Sequence, residues 1–159
     1  DMTAGSLGQG LSAAVGMALA AKIDRNPATI YCFIGDGESQ EGQIWEASMF
    51  AGSRKLDNLI VLLDSNRMQL DGPVESINGL EPIVDKWKAF NFFVQDVDGH
   101  DLSAISDAID AAKAQHEKPS MIVLRTVKGK GASFTEGVAN CHSMSVPEEV
   151  WRKETGRYE

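Results

Sequence analysis

The sequence predicts an α/β domain built on a doubly wound, mostly parallel sheet with helices on both faces, and three observations lead there. Apolar runs of strand length alternate with segments of helical period along the chain. The strand-length runs are apolar at successive positions, as in strands buried on both faces. A helical segment separates successive runs, which is the spacing of parallel crossovers.

In chain order, residues 11–22 read as a helix opened by Gly8-Gln9-Gly10 and stopped near Asn26-Pro27. The run Ile30-Tyr31-Cys32-Phe33-Ile34 is the first strand, over 30–34. Residues 41–51 form a second helix, with Gly52 as its C-terminal stop. Strands follow at 59–64 and 92–97. A third helix spans 102–115, with Asp101 as its N-cap and Lys118-Pro119 beyond its end. A fourth strand covers 121–127, and Ser145-Val146-Pro147-Glu148 has the spacing of a capping box at the start of a short terminal helix. Ligands of such sheets bind at the carboxyl ends of the strands. Gly35-Asp36-Gly37, Asp64-Ser65-Asn66 and Asp98-Gly99-His100 all follow strand ends, so they should gather along one edge.

A chain of 159 residues suits one domain, expected over 1–159, and its 43% apolar and 24% charged residues are those of a globular protein. No 18-residue apolar run spans a membrane and no export segment opens the chain, so a cytoplasmic protein without a membrane partner is expected. The net charge of −8 and the lack of a basic face exclude a nucleic-acid partner. An anionic ligand would need local lysines, backbone N–H groups or a metal to overcome that charge. Cys32 lies within an apolar run and reads as a core thiol; Cys141 sits beside His142, and the two have neither zinc nor disulfide spacing.

Gly35-Asp36-Gly37 carries the first chemical signal. Flanking glycines let the backbone turn and approach a ligand, and Asp36 presents a hard oxygen suited to Mg²⁺ or Ca²⁺. The same tripeptide also serves as a plain strand-to-helix turn. Asn66 weighs on that choice: 28 residues, 38 to 65, separate it from Gly37, the size of one strand–helix–strand unit. That spacing places Asp36 and Asn66 at neighbouring strand ends. An Asp oxygen, an Asn oxygen and a backbone carbonyl can cover one side of Mg²⁺, leaving places for diphosphate oxygens and water.

Together these residues resemble the thiamine diphosphate signature, a Gly-Asp-Gly followed by Asn at the end of the next strand. Gly5-Ser6-Leu7-Gly8-Gln9-Gly10 is similar to the GPLGQG element of transketolases, with serine in place of proline at Ser6. Glu38-Ser39-Gln40-Glu41-Gly42, Trp45-Glu46-Ala47, Asp98-Gly99-His100-Asp101, the stretch 126–131 and His142 follow in the family's order. The resemblance covers nearly the whole chain and points to the amino-terminal subunit of split transketolases.

The resemblance implies the thiamine diphosphate-binding fold and, within it, the diphosphate-type domain. It implies Asp36, the Asn66 side chain and the Met68 carbonyl as ligands of Mg²⁺ (or Ca²⁺), and Gly35 and Gly37 at the diphosphate. Gly5 and Leu7 would lie against the aminopyrimidine, and His142 would reach the diphosphate and the reacting centre. Glu41 would join an acidic relay at the subunit interface, although it also reads as a first-turn acid favoured by the helix dipole. Lys128 stays unassigned, facing either a phosphate or solvent. The cofactor-activating glutamate and the upstream histidines of transketolases have no counterpart here. A pyrimidine-binding subunit or domain is therefore the expected partner, in a dimer of such pairs acting on sugar phosphates. The edge with Glu41, Trp45 and the 5–10 loop is expected to meet it. The rival readings are a 1-deoxyxylulose-5-phosphate synthase-like enzyme and a non-catalytic binding subunit.

Overall fold

The computed structural model describes residues 2–156; residue 1 and residues 157–159, the ends of the expected domain, lie outside the described residues. In chain order the elements are α1 (Gln9–Ile23), β1 (Ile30–Gly35), α2 (Gly42–Ser53), β2 (Leu59–Ser65), β3 (Met68–Gln69), β4 (Gly72–Pro73), α3 (Val74–Asn78), α4 (Ile83–Ala89), β5 (Phe93–Asp98), α5 (Leu102–Ala114), β6 (Ser120–Arg125) and α6 (Glu148–Thr155). Short 3₁₀ turns lie at Glu38–Gln40 and Ala139–Cys141.

Four strands make one all-parallel sheet in the order β1-β2-β6-β5, with Cys32 opposite Val61 and Val61 opposite Met121. The chain steps one way from β1 to β2 and the opposite way from β5 to β6. Right-handed crossovers then require the connecting helices α2 and α5 to lie on opposite faces. They do. Leu11 and Ala18 of α1, Ile44 and Ala51 of α2, and Ile83 and Trp87 of α4 close over Ile34, Val61, Leu63 and Val123. On the other face Ala108 and Ala112 of α5 cover Ile60, Ile122 and Leu124. The doubly wound sheet read from the sequence is the observed one. Its second layer stops short of β1, where Tyr31 and Phe33 stay exposed.

The expected helices and strands form, with ends shifted by a few residues. Asp101 caps α5 by accepting the N–H groups of Ser103 and Ala104. The buried Cys32 thiol is pushed up to about 11 by burial, with the Glu38 charge adding to the effect, so it is an inert core group.

Two expectations are corrected. Gly52 does not stop α2, which continues to Ser53; a Cβ at Gly52 would lie 1.9 Å from the Phe90 carbonyl oxygen, so the glycine admits a close backbone approach. Nor does Ser145 cap α6. Pro147 is the residue preceding that helix, no side chain caps it, and Glu148 instead pairs with Arg152 one turn on. The β3–β4 ribbon, α3 and α4 add to the expected elements, and each is too short to show a period in the sequence.

Candidate functional site

The residues expected to hold the metal and the cofactor, together with Glu41, line one cleft of about 1010 Å³ at the carboxyl ends of the strands: Gly5, Leu7, Gly35, Asp36, Gly37, Glu41, Asn66, Met68 and His142. Gly35-Asp36-Gly37 leaves β1, and Asn66 leaves the adjacent β2. Phe33, Asp64, His100, Thr126 and Lys128 complete its walls.

Asp36 lies at the centre and is only 4% exposed. One carboxylate oxygen accepts the Gly37 N–H at 2.8 Å and the other accepts the Arg67 N–H. Arg67 reaches this position with φ 64, a left-handed turn that an arginine adopts only when its surroundings hold it there. Burial drives the Asp36 carboxyl up to about 6; the two N–H groups oppose that rise and the nearby Asp64 charge adds to it. A buried carboxylate beside a second carboxylate can be neutralised by a proton or by a cation.

Asn66 is fixed by its neighbours. Its Nδ2 donates to Asp64 at 2.9 Å and its Oδ1 accepts the Met68 N–H at 2.9 Å. The other Asp64 oxygen accepts the Thr126 hydroxyl from the end of β6. Asp64 thus orients the amide that faces the cleft, a role its position beside Asn66 in the sequence hints at without specifying. Met68 belongs to β3, whose pairing with β4 (Met68 opposite Pro73) holds this segment under the cleft.

The glycines of the signature serve by size. Gly37 has ordinary helical angles, φ −58 and ψ −39, so the expected sharp turn is not what requires it. A Cβ there would sit 2.6 Å from Gln69 Cβ, and it is contact with the ribbon that excludes a side chain. Gly5 has no atom within 4 Å of where its Cβ would be, which leaves its backbone open to a ligand.

The opposite wall is the 5–10 loop and the start of α2. Glu41 precedes α2 as its N-cap residue and makes no side-chain cap, so its carboxylate is not spent on the helix. Glu38 accepts the Gly8 N–H at 2.8 Å and the Gly35 N–H at 3.2 Å, joining the two walls. His100 enters from the end of β5, and its Nε2 accepts the Val127 N–H at 2.8 Å. Lys128 lines the cleft while Lys130 pairs with Glu136 at 3.2 Å. Trp45 points elsewhere, with its ring 5.3 Å from Trp87 and 5.7 Å from Phe90. It is half-buried and packs in the chain's own aromatic cluster.

Among the described residues no group of three or more His, Cys, Asp or Glu converges. One carboxylate, one amide oxygen and a backbone carbonyl are instead the donor set of Mg²⁺, which keeps places for water and phosphate oxygens. The residues present fit that ion.

Comparison with known proteins agrees with this geometry. Residues 1–156 match the family described as "Transketolase, thiamine diphosphate binding domain". The 6-deoxy-6-sulfo-D-fructose transketolase subunit of Clostridium sp. (strain MSTE9) is 60% identical over 152 residues, covering 96% of this chain and 55% of that protein. An apulose-4-phosphate transketolase subunit of Phocaeicola vulgatus is 40% identical over 142 residues, covering 89% of this chain and 50% of the relative. The crystal structure of Campylobacter jejuni transketolase superposes with a TM-score of 0.89 at 37% identity, covering 95% of this chain and 25% of that one. The chain spans about half the length of the curated subunits it matches.

Proposed function

The chain belongs to the transketolase thiamine diphosphate-binding family, and from that premise we propose that it supplies the diphosphate- and metal-binding half of a transketolase active site. The observation that carries this reading is the meeting of Asp36, Asn66 and Gly37 at adjacent parallel strand ends, facing Gly5 and Leu7 across one cleft.

In this reading Asp36, Asn66 Oδ1 and the Met68 carbonyl hold Mg²⁺ (or Ca²⁺), and Gly35 and Gly37 border the diphosphate. Gly5 and Leu7 meet the aminopyrimidine. His142 holds or moves a proton beside the reacting centre. Glu41 faces the subunit boundary, where its unspent carboxylate can join a proton relay. Thiamine diphosphate, when bound, supplies the carbanion chemistry; the protein supplies orientation and electrostatics. A pyrimidine-binding subunit covers the other half of the cofactor and contributes the activating glutamate, in a dimer of such pairs.

The assembled enzyme would pass a two-carbon ketol unit between sugar phosphates, the chemistry of the pentose phosphate pathway, in the cytoplasm. The 60% identity to a sulfofructose transketolase subunit supports a second substrate reading, in which a sulfonate replaces the ketose phosphate. The test is to co-purify the chain with its partner and assay ketol transfer from xylulose 5-phosphate and from 6-deoxy-6-sulfo-D-fructose. Transfer requiring both subunits, Mg²⁺ and thiamine diphosphate is expected, with the preferred ketose identifying the anionic group. Ordinary turnover by the isolated chain would contradict the proposal. So would an assembled enzyme that uses only pyruvate with glyceraldehyde phosphate, the reaction of the 1-deoxyxylulose-5-phosphate synthases.

A further inference from the structure

We propose that Glu38 is a positioning residue that fastens the 5–10 loop to the Gly35-Asp36-Gly37 turn and so fixes the distance between the two walls of the cofactor cleft. The inference rests on the function proposed above and adds a residue to which that reading gives no role.

Helix α1 opens without a side-chain cap of its own. A helix begins with N–H groups that lack partners, and a capping box satisfies two of them: the N-cap side chain caps a later N–H, and an acid three residues on accepts the N-cap N–H. Here the N-cap is Gly8, which has no side chain, and three residues on stands Leu11, which cannot accept a hydrogen bond. Glu38 fills the missing place from 30 residues away, accepting the Gly8 N–H at 2.8 Å. Its second oxygen accepts the Gly35 N–H at 3.2 Å. One carboxylate therefore bridges the end of β1 and the start of α1. Its negative charge also lies at the end of α1 where the helix dipole favours it.

Among the described residues, few other backbone hydrogen bonds hold the loop. Leu7 is 59% exposed, and Gly5 has open space around it. The remaining turn bond, from the Gln9 N–H to the Ser6 carbonyl, is long at 3.4 Å. Gly8 itself takes φ 85, and a Cβ there would come within 3.2 Å of Glu41 Cβ, so the loop is seated against the start of α2. Among the described residues, Glu38 provides the side chain that accepts from the backbone of this loop. Without it, Gly5 and Leu7 would lose their place against the aminopyrimidine, while Asp36 and Asn66 would keep their own partners.

That difference defines the experiment. The chain in complex with its pyrimidine-binding partner is titrated with thiamine diphosphate and Mg²⁺, and separately with inorganic diphosphate and Mg²⁺. Glu38→Ala is expected to weaken thiamine diphosphate binding about tenfold or more, the scale of a lost hydrogen bond to a charged group. Binding of inorganic diphosphate should stay within about twofold. In steady state the loss should appear in the cofactor KM more than in kcat. Glu38→Gln, which keeps one acceptor oxygen, should recover most of the affinity and serves if the alanine variant does not fold. Hydrogen exchange without cofactor should be faster at the Gly8 amide in Glu38→Ala than in the unmodified chain, with Glu38→Gln closer to the unmodified chain. Equal weakening of both anions, unchanged thiamine diphosphate affinity, or unchanged Gly8 exchange would overturn the proposal. An unmodified complex that binds no thiamine diphosphate would contradict the functional reading itself and this inference with it.

Discussion

At Asp36, burial and hydrogen bonding pull in opposite directions, and burial wins: the carboxyl stands at about 6, although two backbone N–H groups stabilise its ionised form. The sign matters for stability. A carboxyl raised above its unfolded value favours folding most when protonated, so its contribution is present below about pH 4 and is lost as pH rises through about 6. Keeping this buried carboxyl ionised at neutral pH costs the fold roughly 3 kcal/mol, a penalty that a bound divalent cation would offset. Carboxyl ¹³C NMR of the metal-free chain should therefore show one aspartate titrating near pH 6, absent from Asp36→Ala. Saturation with Mg²⁺ and thiamine diphosphate should move that titration below the usual carboxylate range. A normal Asp36 titration would mean that its buried cradle opens in solution. Of this site the sequence disclosed Asp36 and Asn66, because Gly-Asp-Gly and a strand-end Asn are visible as types at a spacing. The roles of Asp64 and Glu38 were not legible, because they depend on the Thr126 hydroxyl and the Gly8 N–H, which the fold brings in from 62 and 30 residues away.

Among the elements, α1 and α2 give the sharpest tests of packing. Gly52 lies against the Phe90 carbonyl oxygen, where a Cβ would be 1.9 Å away, whereas Gly16 has no neighbouring atom within 4 Å of its Cβ position. Gly52→Ala should lower stability by about 3 kcal/mol through overpacking. Gly16→Ala should raise it by about 0.5–1 kcal/mol through helix propensity. Thermal unfolding of both variants checks the opposite signs. Trp45→Ala should cost the isolated chain about 3 kcal/mol, since its ring completes a cluster with Trp87 and Phe90. A chain that loses partner affinity but not stability would place Trp45 at the interface rather than in the core. The long elements were legible because their apolar residues repeat at helical or strand spacing. Gly52 misled because a glycine late in a helix looks the same whether it ends the helix or makes room for a neighbour. The aromatic cluster was hidden because α4, which brings Trp87, spans only Ile83–Ala89.

For the molecule as a whole, several apolar side chains stay open at the surface. Tyr31 and Phe33 on β1 lie beyond the reach of α5, and Met17 on α1 and Met49 on α2 are exposed as well. Helix α1 is apolar on nearly every side, as helices are when both faces are covered. None of these surfaces alters the account of the cleft, whose central claim is that this chain holds the metal and diphosphate end of the cofactor through Asp36. The direct test is calorimetric titration of thiamine diphosphate with Mg²⁺ into the assembled complex, comparing the unmodified chain with Asp36→Ala. Mg²⁺-dependent binding is expected for the unmodified complex, and a loss of about a hundredfold or more for the variant, whose fold and partner association stay intact. Equal affinity of the two proteins would contradict it.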